Sequence, residues 1–501
     1  MSVWMKGAAL HGAALFLLAQ PATLVEKSER AKLWMAQQRF ADAAVLYEEL
    51  TRAVPGNPGL LMNLGMARHM AGQDAAAIAP LEAAVKLQPV PPPALLFLGA
   101  SYLRTGQAAK AIAPLKRFVA IEPNHPESRR MLADAASAVG DRAEAAIHLG
   151  KLAEWEPADP SAWYALGLAY REIADTQMAA LPQDSGYWLG LAADTRNKRS
   201  QTRARFLLYR KAIEKLPRQR GLHASLAGIY RDTGHEDWAQ VEREREAALG
   251  APPCRSAPPT LECLYAAGRH ALVLASPLAA PEARYWKSRA AAALADDAFA
   301  KLAALPPSVF SHRAQAEAHR DAGRHRDAAE AWRAALALAP ADSSLEFELA
   351  TSLVQAKQYD GAREIAERLL AADPKAPELN YLLGDLLLNL QLPGPAIPPL
   401  QIAVAADPKV LPARASLGRA LMLAGRAAEA IPHLEAALPL DTDASLHFQL
   451  SRAYQAAGKP ELGKQMLARY QAMRSRNDDD RRKIESESEI TAPLPAAPAR
   501  P

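Results

Sequence analysis

Residues 60–72 read Leu60-Leu61-Met62-Asn63-Leu64-Gly65-Met66-Ala67-Arg68-His69-Met70-Ala71-Gly72, and a second apolar stretch runs from Gln73 to Leu87. Both stretches carry apolar residues at helical spacing. The glycine between them suits a left-handed C-cap, where one helix stops and an antiparallel one starts. Gly65 falls where the first helix must approach the second with no side chain between them, and Ala77 does the same from the opposite helix. Leu64, Ile78, Leu81 and Val85 then fill the interface at i, i+3 and i+4 spacing. Pro89 closes the second helix, because it cannot extend the hydrogen-bond ladder.

The same features recur outward from this stretch with a period of 34 residues. Prolines stand at Pro55, Pro89, Pro123 and Pro157, and again at Pro306, Pro340, Pro374 and Pro408. An alanine series runs through Ala43, Ala77, Ala111 and Ala145, then Ala328, Ala362, Ala396 and Ala430. Small residues follow apolar ones at Gly65, Gly99, Ala133 and Gly167, then Ala316, Ala350, Gly384 and Gly418. Turn glycines at Gly72, Gly106, Gly140, Gly234, Gly323 and Gly425 make a fourth series. Chance does not lock four residue classes into one phase, so the chain is an array of helical hairpins that bury their apolar faces by stacking.

The pattern resembles the tetratricopeptide repeat family. Its clearest single copy is Ala94-Leu95-Leu96-Phe97-Leu98-Gly99-Ala100-Ser101-Tyr102-Leu103-Arg104-Thr105-Gly106-Gln107, completed by Ala111 and Pro123. The resemblance covers roughly residues 25–473 in about twelve units. It implies an all-α, right-handed superhelical solenoid of tetratricopeptide-like helix-turn-helix repeats. Such a fold hosts many roles, so function must be argued from sites.

Two intervals break the period. Pro157 to Pro217 spans 60 residues, and the surplus lies near residues 174–203, around Gln183-Asp184-Ser185-Gly186-Tyr187-Trp188. That predicts one enlarged repeat with extended helices or a protruding loop. Pro217 to Pro306 spans 89 residues, and the surplus surrounds the only two cysteines, Cys254 and Cys263. Periodicity fades there, which predicts an irregular central seam over 252–280 between an N-terminal array (23–251) and a C-terminal array (281–473). The helix pair Ser445–Met473 reads as the polar cap such arrays need. Residues 474–501 are charge-rich and then Pro/Ala-rich, and they read as a disordered tail.

At 501 residues, with half of them hydrophobic and 23% charged, the chain is too long for one core and too apolar for a disordered one. A net charge of +4 and the lack of a long basic stripe give no reason to invoke nucleic acid. After Lys6, residues Gly7–Ala19 are uncharged and largely apolar, with small residues near Ala19 and Ala22. That layout predicts a secretory signal over 1–22, and hence a periplasmic or extracellular protein with envelope association. It is shorter than the roughly 20 residues a spanning helix needs. The other readings of the segment are a capping helix on a cytoplasmic protein, or an uncleaved membrane anchor. Export would make a Cys254–Cys263 disulfide the natural state of the cysteine loop. The spacing does not suit a zinc knuckle.

No phosphate loop, dinucleotide fingerprint, zinc-protease helix or nucleophile elbow is present, so the sequence calls for no catalytic residue and no cofactor. His312, His319 and His325 lack the partners of a metal site, and Asp441-Thr442-Asp443 reads as a helix cap, not a calcium loop. The family resemblance implies a groove lined by first helices. Carried over by position, its residues are Arg130, Tyr164, Arg171, Arg231, Arg313, Arg320, Phe347, Tyr381, Asp385, Arg419, Phe448 and Arg452. Arginine and aromatic side chains dominate binding hot spots, which points to an acidic or extended peptide as ligand. The alternative is that these arginines are simply a solvated surface. The expected function is a non-catalytic scaffold for proteins or peptides in an envelope or secretion assembly. The rival reading is a carrier or enzyme accessory that holds a sugar or lipid near Tyr187 and Trp188.

Overall fold

All eight alanines of the 34-residue series, from Ala43 to Ala430, are 0% exposed in the structure. The computed structural model describes residues 23–196, 201–252, 254 and 258–493, so the predicted signal segment 1–22 lies outside the described residues. Within them the chain forms α-helices numbered here from α1 (Leu24–Ala36) to α26 (Pro460–Glu487), and no β-strand. The fold is an all-α repeat solenoid. Two compact units divide between Leu152 and Ala153.

In the first unit α3 (Pro58–Met70) pairs with α4 (Asp74–Lys86), and α5 (Pro92–Arg104) with α6 (Ala108–Ile121). The small-residue position works as a socket. A Cβ on Gly65 would lie 2.3 Å from Cγ of Leu81, sixteen residues on, so the leucine occupies the space a side chain would need. Gly99 receives Leu115 in the same way. Turns between paired helices use a left-handed residue, with φ of 76° at Gly72 and 72° at Gly106. At the same phase Gln38, Lys357 and Gln391 adopt φ of 59°, 60° and 61° without being glycine. Pro80 lies inside α4 and cannot donate to the carbonyl of Ala76; Arg68 Nη1 supplies that bond at 3.1 Å.

The second unit departs from the expected plan at its start. α9 (Pro160–Ala179) does not pair with the next helix in sequence. It packs along α16 (Pro281–Ala303), and the socket at Gly167 is filled by Phe299, whose Cζ would lie 2.7 Å from an added Cβ. Ser288 Oγ donates to the carbonyl of Ala174 at 2.9 Å, and Lys301 Nζ sits 4.7 Å from the Trp163 ring centre. The reason is local. Sixteen residues beyond Gly167 stands Gln183, a polar residue in the loop after α9, which cannot fill an apolar socket.

One repeat is therefore split, with α10–α15 inserted between its two helices. The inserted part contains the pairs α10 (Gly186–Thr195) with α11 (Thr202–Lys215), and α12 (Leu222–Asp232) with α13 (Glu236–Ala248). Two short helices follow, α14 (Leu261–Ala266) and α15 (His270–Leu274), which lie against α16. This corrects the expected division into arrays 23–251 and 281–473 joined through 252–280, because residues 281–303 complete a hairpin begun at 160. Cys254 and Cys263 are joined by a disulfide in this stretch, with Cα atoms 5.2 Å apart. From α17 (Val309–Asp321) onward regular pairs resume: α17 with α18 (His325–Leu338), α19 (Ser343–Gln355) with α20 (Tyr359–Ala372), and so on to α25 (Ser445–Ala456) with α26.

The tail is the second correction. α26 continues to Glu487, and residues up to Thr491 bond to α11 and α12, so the expected disorder from 474 does not hold over the described part. Ion pairs spaced three or four residues apart, such as Arg481–Asp478 at 2.7 Å, sustain a helix that composition alone reads as solvated chain. Residues 494–501 lie outside the described residues.

The α12–α13 pair holds a charged cluster in its core. Glu242, 1% exposed, bonds His223 Nδ1 and, at 2.7 Å, Arg245. Burial pushes the imidazole pKa down, but the hydrogen bond and charge of Glu242, with smaller help from the Pro217 carbonyl and Glu246, together outweigh it and leave His223 above the ordinary histidine value. A histidine raised on folding contributes stability that is complete below its unfolded value, near pH 6.5, and is lost as pH climbs through the folded one. The thermal midpoint should therefore decline as pH rises above about 6.5, and Glu242→Gln should flatten that decline. Parallel melts of both proteins across that range check this, and identical pH slopes would refute it.

Candidate functional site

The insertion builds a hollow. α9, α16 and α17 form one side; α10, α11, α12 and α14 form the other, around a cavity of about 1,290 Å³. Its floor is apolar and small-residue, with Ala292, Ala293, Ala295, Ala314 and Ala318, because α16 and α17 are alanine-rich where they face it. Charged residues from α9, α10, α11, α12, α16 and α17 line the hollow in mixed sign. Arg171, Arg205, Arg231 and Arg289 stand among Asp175, Asp194, Asp232, Asp296 and Asp321.

Most of these charges are held in place by neighbours. Arg171 bridges Glu317 at 3.1 Å and Asp321 at 3.6 Å. Arg289 lies over three rings, at 5.4 Å from Tyr265, 5.6 Å from Tyr285 and 5.9 Å from Trp286, and donates to the Tyr285 hydroxyl at 3.1 Å. Burial alone would push the Arg289 pKa down, but Tyr285 and Asp194 more than offset it, so the guanidinium stays charged. Tyr209 donates its hydroxyl to Asp194, and burial followed by that carboxylate pushes the phenol up to about 12. Burial also raises Asp175 above the usual carboxylate range, against the pull of Arg171. Arg231 is exposed and pairs with its own neighbour Asp232 at 3.1 Å, which leaves its guanidinium close to solvent. Fixed donors and acceptors over an apolar floor suit a ligand that offers both N–H and C=O groups, as an extended peptide backbone does.

The groove residues expected from sequence do not form one surface. Arg171 and Arg231 line the hollow together. Tyr164 does not face a groove. It is 6% exposed, packs on Phe299 and Phe310, donates its hydroxyl to Glu317 at 2.5 Å and lies under Arg313 at 5.5 Å. Glu317 thus ties Tyr164 and Arg171 of α9 to α17, and Arg313 of α17 covers the Tyr164 ring. Arg320 bridges Glu348 at 2.7 Å, Phe347 and Tyr381 pack partly into the core, and Asp385 accepts from Ser416 at 3.1 Å. Arg419, Phe448 and Arg452 are exposed on successive first helices, Arg419 on α23 (Leu411–Leu423) and the other two on α25. Arg130 lies on α7 (Pro126–Ala138) in the first unit.

Sequence reasoning missed Arg289, Asp194 and Tyr265, because none stands at a first-helix position of a regular repeat. A usable signal was there: Pro281 opens an alanine-rich helix long enough to be a repeat partner, with Phe299 near its end. Tyr187, in the rival sugar or lipid reading, spends its ring on Tyr285 at 5.5 Å, and Trp188 packs between two core clusters. Ala444, and not an aspartate of Asp441-Thr442-Asp443, holds the N-cap position of α25, but the carboxylates serve its first turn from outside: Asp443 accepts from Ser445 N at 2.9 Å and Asp441 from His447 N at 2.8 Å. In the first unit Ser101, His69 and Asp74 come together, but both partners meet Nδ1 of the imidazole, at 3.0 and 2.7 Å. A proton relay needs the two ring nitrogens on opposite partners.

Comparison with known proteins agrees with the repeat architecture. One tetratricopeptide repeat profile matches residues 29–92, 75–126, 313–377, 347–410 and 381–445, and a second matches 102–169. No curated protein matches the chain. Among solved structures, "MamA MSR-1 C2" is 24% identical, covering 34% of this chain and 98% of that one, with a TM-score of 0.31. "MamA AMB-1 P212121" is 25% identical, covering 33% of this chain and 90% of that one, with a TM-score of 0.29. "Crystal structure of YrrB: a TPR protein with an unusual peptide-binding site" is 24% identical, covering 32% and 83%, with a TM-score of 0.29. The matched repeats span more than half of the chain and coincide with sockets, turns and buried alanines at a 34-residue period, so this chain belongs to the tetratricopeptide repeat family.

Proposed function

We propose that the chain is a non-catalytic scaffold that binds an extended peptide segment of a partner protein in the hollow of its second unit, in an exported envelope or secretion assembly. Tetratricopeptide repeats form a protein-interaction architecture, which supports the broad role. The observation that carries the finer reading is the hollow of about 1,290 Å³, where paired arginines and aspartates stand over an alanine floor. The apolar run after Lys6 and the Cys254–Cys263 bond support an oxidising, extracytoplasmic setting.

Affinity purification of the tagged protein, performed separately on periplasmic and cytosolic extracts, tests partner and compartment together. Capture of one protein from the periplasmic extract is expected. Arg231→Glu should weaken that complex at least tenfold, roughly the loss of a hot-spot arginine. Arg419→Glu with Arg452→Glu tests the exposed first-helix face separately. If only this pair weakens binding, the ligand sits on that face and not in the hollow. If neither variant does, the groove reading fails.

A further inference from the structure

The acidic end of α26 is seated on the inserted helices. Lys211 Nζ on α11 pairs with Glu487 Oε2 at 2.8 Å. Arg210 donates to the Thr491 hydroxyl, and the Tyr230 hydroxyl donates to the Thr491 carbonyl at 2.8 Å. Ile490 packs against the cluster that contains Phe206, Tyr209 and Tyr230. Ser488 is 6% exposed, whereas Glu489 beside it is exposed and Ile490 is again partly covered. Glu487 and Ser488 end α26 against the inserted helices, and Ile490 returns to them beyond the exposed Glu489.

Charge matches as well as shape. Glu485-Ser486-Glu487-Ser488-Glu489-Ile490-Thr491 carries three carboxylates and no base, while the receiving helix α11 presents Arg203, Arg210 and Lys211. The hydrogen bond from Lys211 holds the Glu487 carboxyl below its usual range. Arg210, Lys211 and Tyr230 do not line the hollow, so this is a second surface.

We infer that the α11–α12 face is a peptide-binding site for an acidic segment bearing a branched aliphatic residue, and that residues 487–491 occupy it as a displaceable ligand supplied in cis. This goes beyond the scaffold reading; of the residues that line the hollow, Tyr209 alone among those named here also belongs to the cluster under Ile490. A tethered ligand reaches its site at a high effective concentration, so a partner segment of the same chemistry competes only when it is itself presented at high local concentration.

The test uses a fluorescent peptide of residues 483–493 and the full chain. Ile490→Asp should free the tail and let the peptide bind at least about tenfold more tightly than it binds the wild type. Adding Lys211→Glu should remove that gain. Amides of residues 206–213 should exchange faster in Ile490→Asp and recover when peptide is added. Equal affinity for wild type and Ile490→Asp, or no saturable binding to Ile490→Asp, overturns the assignment. Arg419→Glu with Arg452→Glu should leave peptide affinity unchanged; a loss there would also overturn it, independently of what becomes of the hollow.

Discussion

Trp332→Ala should lower the stability of the second unit by about 3–5 kcal/mol, the range found when a buried large aromatic is truncated. Trp332, on α18, is 1% exposed and shares a cluster with Ala316, Ala329, Leu345, Leu349 and Ile365. The cluster draws on α17, α18, α19 and α20, so the void would weaken two adjoining hairpins together. In a stacked array each hairpin is stabilised by its neighbours, and a loss at one interface spreads to the next. The indole N–H has no hydrogen-bond partner, so Trp332→Phe should cost much less than the alanine variant. Urea denaturation of both variants measures the difference. A loss under about 1 kcal/mol for Trp332→Ala would mean that this core collapses around the gap.

The second large effect concerns two residues far apart in sequence. Gly167→Leu forces a side chain into the space held by Phe299, and overpacking of this kind costs about 1–3 kcal/mol. Phe299→Ala should empty the same socket and also destabilise. The double variant should recover much of the loss, with a coupling of about 1–3 kcal/mol, because one change makes room for the other. If α9 belonged to an array ending before residue 252, these two positions would be independent. Coupling indistinguishable from zero would refute the split repeat.

Much of the fold is legible in the chain because each repeat needs a small residue opposite a large one at fixed spacing. Ala77, Ala111 and Ala362 are fully buried for that reason, and Gly72 and Gly106 turn left-handed where the period places them. The partner of α9 is not legible from periodicity, which assumes that each helix packs on the next. Only the misfit of Gln183 hints at another partner. Phase alone puts Tyr164 in a groove, yet Phe299 and Phe310 pack against it, and the first of these comes from α16, a helix that phase does not pair with α9. The order of the tail is not legible, because charge along a segment says nothing about complementary charge elsewhere. Lys211 and Arg210 meet it only after the insertion has folded. The hollow was half legible: Arg171 and Arg231 came from helix phase, whereas Arg289 and Asp194 depend on how the insertion closes over α16.

Because α9 and α16 close upon each other, the chain between Ala179 and Pro281 leaves and re-enters the stack at a single point. Its length has no bearing on the pitch of the hairpins that follow. That point is a grafting port: a cassette of helix pairs can be exchanged there for another while the downstream register stays fixed, provided the cassette's two ends return to the same gap. Recognition surface can then diversify without resetting the frame that carries it.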